Sequence, residues 1–142
     1  MKKPSLIRIE VLILLYQYDF YLQNLKFLNY NTKPQSLVFF QKIIPKITLI
    51  DEIIQKNLYN YQLKRLNKID QAILRLATFE LLENKITASI IIDEALELTK
   101  KYSELDDEKQ HKFNNKVLDQ IYHSLKSQIN HLEFKKISEN HI

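Results

Sequence analysis

Apolar residues recur at intervals of three and four positions along residues 65–103, a spacing that predicts two amphipathic helices. The apolar face of the first helix comprises Ile69, Ala72, Ile73, Leu76, Ala77 and Leu81. After a polar break at 84–87, the pattern resumes with Ile91, Ile92, Ala95, Leu96 and Leu98. Each of these helices is expected to have one polar face and one apolar face. Both apolar faces must then be buried against other elements of the chain.

The same periodicity predicts helices before this pair. Helix one is expected over 5–25, helix two over 35–44 and helix three over 46–61. Pro45 should interrupt helix between the second and the third, since it lacks an N–H and clashes with the preceding turn. The start of helix four places Asp70 in its first turn, where a carboxylate favours the helix dipole.

Beyond the pair, one more helix is predicted over 107–130, with Asp106 or Asp107 as its cap. The residues from 131 onward are polar and are expected to fray. The chain has 142 residues and no glycine, which suits one core and removes the usual hairpin turns. We therefore predict an all-α single domain of about six to seven helices over 1–131, followed by a polar C-terminal tail over 132–142.

The composition excludes several classes of site. Without glycine the chain lacks the loops of Rossmann folds, P-loops and nucleophile elbows, and without cysteine it lacks thiolate sites and disulfides. None of the four histidines has another at i,i+4, so no metal and no cofactor is expected. The apolar runs are too short for a membrane span, and a cytoplasmic location is predicted.

Charged residues inside the helices have a structural interpretation as well as a functional one. Glu80 with Glu83, and Glu94 with Glu97, form i,i+3 carboxylate pairs, which are common on helix surfaces. Nothing nearby supplies a nucleophile or an oxyanion loop, so we predict that the protein is not an enzyme. Arg75 interrupts an apolar run and must be paired or reach solvent, with Glu80 or Glu94 as the expected partner.

The net charge of +4 is unevenly distributed along the chain. Residues 1–64 carry nine Lys or Arg against four Asp or Glu, and residues 65–142 carry twelve against thirteen. A basic N-terminal half suits an anionic partner such as nucleic acid, although a slightly basic surface alone explains it equally well.

Aromatic and basic residues also cluster where helix five ends and helix six begins, at Lys101, Tyr102, Lys112 and Phe113. Aromatic rings stack on unpaired bases, and lysine neutralises phosphate. The simpler interpretation of Phe113 is a core residue at its helical spacing.

Four segments together resemble the NusB family of transcription antitermination factors. They are IRIEVLILLYQYD, RLNKIDQAILRLATFELL, IIIDEALELTKKYS and HKFNNKVLDQI, in the order in which the family has its corresponding motifs. The resemblance implies two packed three-helix subdomains and no catalytic activity. It also implies a protein that binds single-stranded boxA-type leader RNA together with the ribosomal protein NusE, within the RNA polymerase antitermination complex.

The resemblance further implies roles for individual residues. The positions expected to bind RNA are Lys2, Lys3, Arg8, Lys101, Tyr102, Lys112 and Phe113. Tyr16 and Asp70 match positions that face NusE. The N-terminal Arg cluster of the family is reduced here to two Lys and one Arg, which keeps charge but loses most of the bidentate geometry.

Two alternatives remain open. One is a NusB-like helical protein-interaction module with weakened RNA binding. The other is an accessory domain related to the one fused to rRNA cytosine methyltransferases, against which the length argues, since no Gly-containing cofactor-binding domain follows. A homodimer is also open, because the apolar face of helix one suits either a core or a dimer.

Overall fold

The structure, a computed structural model, describes residues 5–18, 32–103 and 108–139, with the backbone alone for 129–139. Within these ranges the chain forms α-helices and two short 3-10 turns, without a strand, so the all-α prediction is confirmed. The helices are α1 (Leu6–Tyr18), α2 (Pro34–Ile43), α3 (Ile47–Lys56), α4 (Lys68–Glu83), α5 (Ala88–Tyr102) and α6 (Lys109–Glu139). The 3-10 turns are Ile44–Lys46 and Leu63–Arg65.

Helix α4 lies at the centre of the fold and contacts α1, α3, α5 and α6. Every residue from 70 to 81 is buried, including the polar ones. The prediction that this helix has an exposed polar face is therefore wrong over these residues, because other helices pack around it on all sides. Helix α5 does keep the predicted division, with Ile91, Ala95 and Leu98 buried and Asp93 and Lys100 exposed.

The two ends of α4 are set by asparagines. The Asn67 side chain accepts a hydrogen bond of 2.8 Å from the Asp70 N–H and so caps the first turn. At the other end Asn84 adopts the left-handed conformation, with φ of 54°, and its N–H donates to the Glu80 carbonyl. Asparagine tolerates this conformation better than most residues, which explains why the chain turns where the polar break was predicted.

Pro45 has the predicted effect, since the chain passes through the 3-10 turn Ile44–Lys46 between α2 and α3. Helix α3 ends at Lys56, five residues before the predicted end at 61. The Gln55 side chain accepts from the Leu63 N–H and donates to the Tyr61 carbonyl, each at 2.9 Å. Asn60 has φ of 56°, so the backbone there has left the helix. These contacts hold the segment after α3 as a loop, which the periodicity did not indicate.

Helix α6 begins at Lys109, two residues later than predicted, and continues to Glu139, nine residues beyond the predicted end at 130. The residues from 131 to 139 are helical rather than frayed, and they contain neither glycine nor proline to end the helix. The predicted domain boundary at 131/132 stays a prediction. The predicted caps Asp106 and Asp107 and the predicted end of helix one at 25 lie outside the described residues.

Candidate nucleic-acid interface

A buried polar network joins the end of α5 and the start of α6 to the first turn of α4. Oδ1 of Asp70 accepts hydrogen bonds from the Ser103 hydroxyl at 2.8 Å and from Nδ2 of Asn114 at 3.1 Å. The same Nδ2 donates to the Thr99 hydroxyl at 3.0 Å, and that hydroxyl donates to the Ala95 carbonyl. One carboxylate oxygen thus fixes two helix termini relative to each other.

Burial raises the pKa of the Asp70 carboxyl, and the hydrogen bonds from Ser103 and Asn114 act in the opposite direction. Its Oδ2 has no hydrogen-bond partner among the described residues. The sequence placed this carboxylate correctly in the first helical turn. The side chain is only 1% exposed, however, so it supports the surface from beneath rather than facing a partner directly as expected.

Tyr102 and Phe113 precede the two residues that bind Asp70, and the network therefore holds them at the same end of the bundle. The Tyr102 ring is 39% exposed, and Nζ of Lys101 lies 5.4 Å from its centroid. Lys112 is exposed on the first turn of α6. An exposed ring beside ammonium groups can stack on an unpaired base while the lysines neutralise phosphate.

Phe113 has features of both a core residue and a residue of a binding surface, the two interpretations that its spacing allowed. It is half-buried and packs against the core, and its ring also meets the Tyr61 ring edge-on at 6.1 Å between centroids. Tyr61 is 42% exposed and was not among the predicted site residues. The sequence did carry a signal for it, since it is an aromatic residue at the predicted end of helix three, shortly before the apolar pattern of 65–103 begins.

Asn114 is a second residue that was not among the predicted site residues, although it lies beside Lys112 and Phe113 at the start of helix six. It is fully buried, although its amide is polar. Its spacing from Leu118 and Ile121 places it on the apolar stripe of α6, where a polar residue indicates a buried hydrogen-bond network. That spacing was visible in the sequence.

Arg8 is held inside the protein by two acidic residues. Its Nε and Nη2 donate to the two carboxylate oxygens of Glu80 at 2.8 and 2.7 Å, and Nη1 lies 3.9 Å from Oε1 of Glu94. The hydrogen bonds to Glu80 raise the Arg8 pKa further above its ordinary value. Glu80 is therefore a buried ion-pair partner, and the expectation that it is a surface carboxylate is wrong. The guanidinium, whose side chain is 14% exposed, is already engaged at the position predicted to bind RNA.

Arg75 forms an ion pair, but with a different residue from the two predicted. Its Nε and Nη2 donate to the Asp51 carboxylate on α3 at 2.8 and 2.9 Å. Glu80 is engaged by Arg8 instead, because α1 packs along the same end of α4. The pair between Arg75 and Asp51 consequently joins α3 to α4.

The remaining predicted positions lie on α1 or outside the described part of the chain. Tyr16 is 36% exposed on α1, whereas Lys2 and Lys3 lie outside the described residues. The described residues contain no group of His, Asp or Glu that would hold a metal ion. Among the described helices, none has the length and apolar character to cross a membrane.

Comparison with known proteins identifies the family. The NusB family profile matches residues 8–123, which cover helices α1 to α5 and the first half of α6. The chain belongs to the NusB family. The resemblance carried by the four sequence motifs is thereby confirmed, and it supports the prediction that the protein is not an enzyme.

Individual NusB relatives match part of their length. The transcription antitermination protein NusB of Clostridium botulinum is 52% identical over 73 residues, which cover 51% of this chain and 53% of the relative. The NusB protein of Treponema denticola is 47% identical over 79 residues, covering 55% and 56% respectively. The chain thus spans about half the length of the curated relatives that it matches.

Solved NusB structures match over most of their length. T. maritima NusB superimposes with a TM-score of 0.71 at 31% identity, covering 86% of this chain and 93% of that one. A chain from the crystal structure of antitermination factors NusB and NusE in complex with dsRNA gives a TM-score of 0.67 at 28% identity, covering 83% and 94%. The all-α fold of this chain is therefore the NusB fold.

Proposed function

We propose that the protein is a transcription antitermination factor that binds single-stranded boxA-type leader RNA together with NusE. The observation that carries the proposal is the joint anchoring of Tyr102 and Phe113 by the Asp70 network, beside Lys101 and Lys112. Membership of the NusB family supports it, and the likeness to a chain from the crystal structure of NusB and NusE with dsRNA supports RNA and NusE as the partners. RNA polymerase antitermination complexes and a cytoplasmic location belong to the same proposal.

Single-stranded RNA is the preferred ligand because of the side chains present. The exposed face of Tyr102 offers a stacking platform, and bases in a duplex are already stacked on each other. Base stacking on an aromatic side chain contributes about 1–3 kcal/mol per base. A boxA-like single strand should therefore compete better than the same sequence annealed to its complement.

The first test measures RNA affinity by fluorescence anisotropy across a salt series, with and without NusE. We expect the logarithm of the affinity to fall steeply with the logarithm of salt, by about 0.7 for each phosphate contacted on a single strand. NusE should strengthen binding. Equal, weak binding of boxA-like and scrambled RNA, with no effect of NusE, would refute the proposal and leave the protein-interaction module in its place.

Variants locate the site. Tyr102→Ala should weaken RNA binding by roughly tenfold or more, given the value of one stacked base. Tyr59, which is 90% exposed, provides the matched control, and Tyr59→Ala should change affinity by less than about twofold. Phe113→Leu keeps an apolar side chain in the half-buried position, so stability should fall by less than about 1.5 kcal/mol while RNA affinity drops. Loss of stability without loss of RNA binding would restrict Phe113 to the core.

Tyr16 is the residue we assign to NusE. It is exposed on α1, whereas Asp70 is buried and acts by positioning the helix ends. Tyr16→Ala should weaken NusE binding in a titration calorimeter and leave binding of RNA alone unchanged. An equal loss of both affinities would contradict a separate partner surface. The oligomeric state, including a homodimer, is settled by the same samples in sedimentation experiments.

A further inference from the structure

A second concave surface lies at the opposite end of α4 from the Asp70 network. It is a groove with a cavity of about 200 Å³, bounded by α2, the last turns of α4 and the turn before α5. Its apolar walls are Val38, Phe39, Phe79 and Ile86. Val38 and Ile86 are 52% and 41% exposed, so two apolar side chains that border the same cavity are open to solvent. We call this surface the α2–α4 groove.

The edge of the α2–α4 groove carries more positive than negative charge. Glu83 receives Nζ of Lys85 at 3.2 Å on one carboxylate oxygen and Nζ of Lys46 at 3.7 Å on the other. Lys42 lines the same groove and is exposed. The hydrogen bond from Lys85, with the charges of Lys46 and Lys42, lowers the Glu83 pKa. Three ammonium groups thus share one carboxylate.

The remaining acidic residue of the groove does not correct this imbalance. Glu80 also lines the cavity, but both of its carboxylate oxygens accept hydrogen bonds from Arg8. An incoming carboxylate would therefore find lysines whose charge is only partly compensated. A second copy of this groove would bring the same excess of lysines and be repelled.

From this combination we infer that the α2–α4 groove binds an acidic segment of a partner protein through one bulky apolar side chain flanked by carboxylates. The cavity is smaller than the roughly 300–1,000 Å³ of small-molecule sites, a size that suits a single anchoring side chain. Buried apolar anchors supply affinity at such sites, and the charges around them supply orientation and association rate.

The geometry of the two rings favours a protein over a nucleic acid. Phe39 and Phe79 pack on each other with centroids 5.7 Å apart and planes tilted by 57°. Phe79 is only 3% exposed, and Nζ of Lys46 lies 5.6 Å from its centroid. Because Phe79 is almost fully buried, its ring offers no open face for a base to stack upon, whereas Tyr102 is 39% exposed.

This inference does not depend on the RNA assignment. Phe79 follows Asp70 by nine residues, which places the groove about 13 Å further along the axis of α4. An acidic segment in the groove and RNA at the junction of α5 and α6 should therefore bind at the same time. Neither ligand should compete with the other.

The test selects peptides from a random phage-displayed library on the immobilised full-length protein. Binders of the Val38→Glu, Lys85→Glu double variant are removed first. Both residues are exposed, so the variant should fold normally, which circular dichroism checks. The expected consensus is an aromatic or large aliphatic residue between Asp or Glu residues. Selection of no consensus, or of a basic or uncharged one, would overturn the inference.

A synthetic peptide of that consensus is then titrated against the protein labelled with ¹⁵N. Amide shifts should concentrate at Val38, Phe39, Lys85 and Ile86. Affinity should fall by about tenfold or more in the double variant and by less than about twofold in the matched control. The control is Leu49→Glu, Lys56→Glu, which changes one exposed aliphatic residue and one exposed lysine on α3.

Three further outcomes would contradict the inference. The first is a peptide that shifts amides around Tyr102 instead of the groove. The second is a single-stranded oligonucleotide that shifts the groove residues as strongly as the acidic peptide. The third is self-association of the protein that the double variant abolishes, which would make the groove an interface between copies of this chain.

Discussion

The ion pair between Arg8 and Glu80 is the contact whose removal gives the clearest signal. The Arg8 side chain is 14% exposed and Glu80 is 5% exposed, and two hydrogen bonds under 3 Å join them. Replacing Arg8 by Ala leaves a carboxylate buried and without its partner, a change that costs about 3–5 kcal/mol in proteins. Because Arg8 is not wholly buried, we expect the lower end, about 3 kcal/mol.

Thermal and urea denaturation followed by circular dichroism measure this loss. For a chain of this size, about 3 kcal/mol corresponds to a fall in Tm of roughly 10 °C. Lys85→Ala is the control, because Lys85 pairs with Glu83 on the surface, where solvent screens the contact and its loss should leave the Tm almost unchanged. Adding Glu80→Gln to Arg8→Ala removes the buried charge and should restore part of the stability.

The double-mutant cycle tests the reasoning itself. A coupling energy of about 2 kcal/mol between Arg8 and Glu80 is expected, since the two residues share one network. If the effects of the two substitutions simply add, the pair does not hold α1 against α4, and Arg8 becomes available for RNA. In that case Arg8→Ala should weaken RNA binding even when the affinity is measured far below the Tm of the variant, where the variant is folded. Our expectation is that it leaves RNA affinity nearly unchanged in the folded protein.

Three further predictions concern residues of or next to α4. Because burial raises the pKa of Asp70, its contribution to stability is largest below the unfolded value near 4 and is lost as pH rises through the folded pKa. Asp70→Asn should flatten the acidic part of the plot of urea midpoint against pH. An unchanged plot would contradict this role of Asp70. Ile73→Ala should cost about 3–4 kcal/mol at a fully buried site, whereas Ile90→Ala, at a 41% exposed site, should cost less than about 1 kcal/mol in the same urea titration. Asn84→Val should lower the free energy of unfolding by about 1–2 kcal/mol, because a β-branched residue resists a φ of 54°, and Asn84→Gly should not; equal losses would contradict this reason.

Periodicity located most of the helices because it reports which side chains are buried, and burial dominates their placement. The polar break at 84–87 and the interruption at Pro45 were both predicted from local backbone chemistry and are both observed. The end of α3 was not, because it depends on contacts that spacing does not encode, and the end of α6 was placed too early because the polar composition of 131–139 was taken as a sign of fraying. Gln55 binds the segment after α3 through its side chain, and nothing in 131–139 ends a helix.

The sequence predicted part of the candidate site, but it predicted neither the roles of Tyr61 and Asn114 nor the arrangement of the charged residues. Tyr102 and Lys112 are exposed, as a binding surface requires. The partners of Arg8 and Arg75 depend on which helix packs on which face of α4, a three-dimensional fact. From the sequence alone, either arginine could pair with more than one carboxylate. Packing of α1 and α3 on α4 selects Glu80 for Arg8 and Asp51 for Arg75.

The enclosure of α4 has a consequence for how the protein opens. A helix surrounded by α1, α3, α5 and α6 cannot expose its backbone until several neighbours have separated from it. Its amide protons should therefore exchange with solvent only through global unfolding, at a rate that follows the overall stability. The outer helix α2, with fewer contacts, should exchange through smaller local openings. Deuterium uptake along the chain would then rank the helices by distance from this central element rather than by their order in sequence.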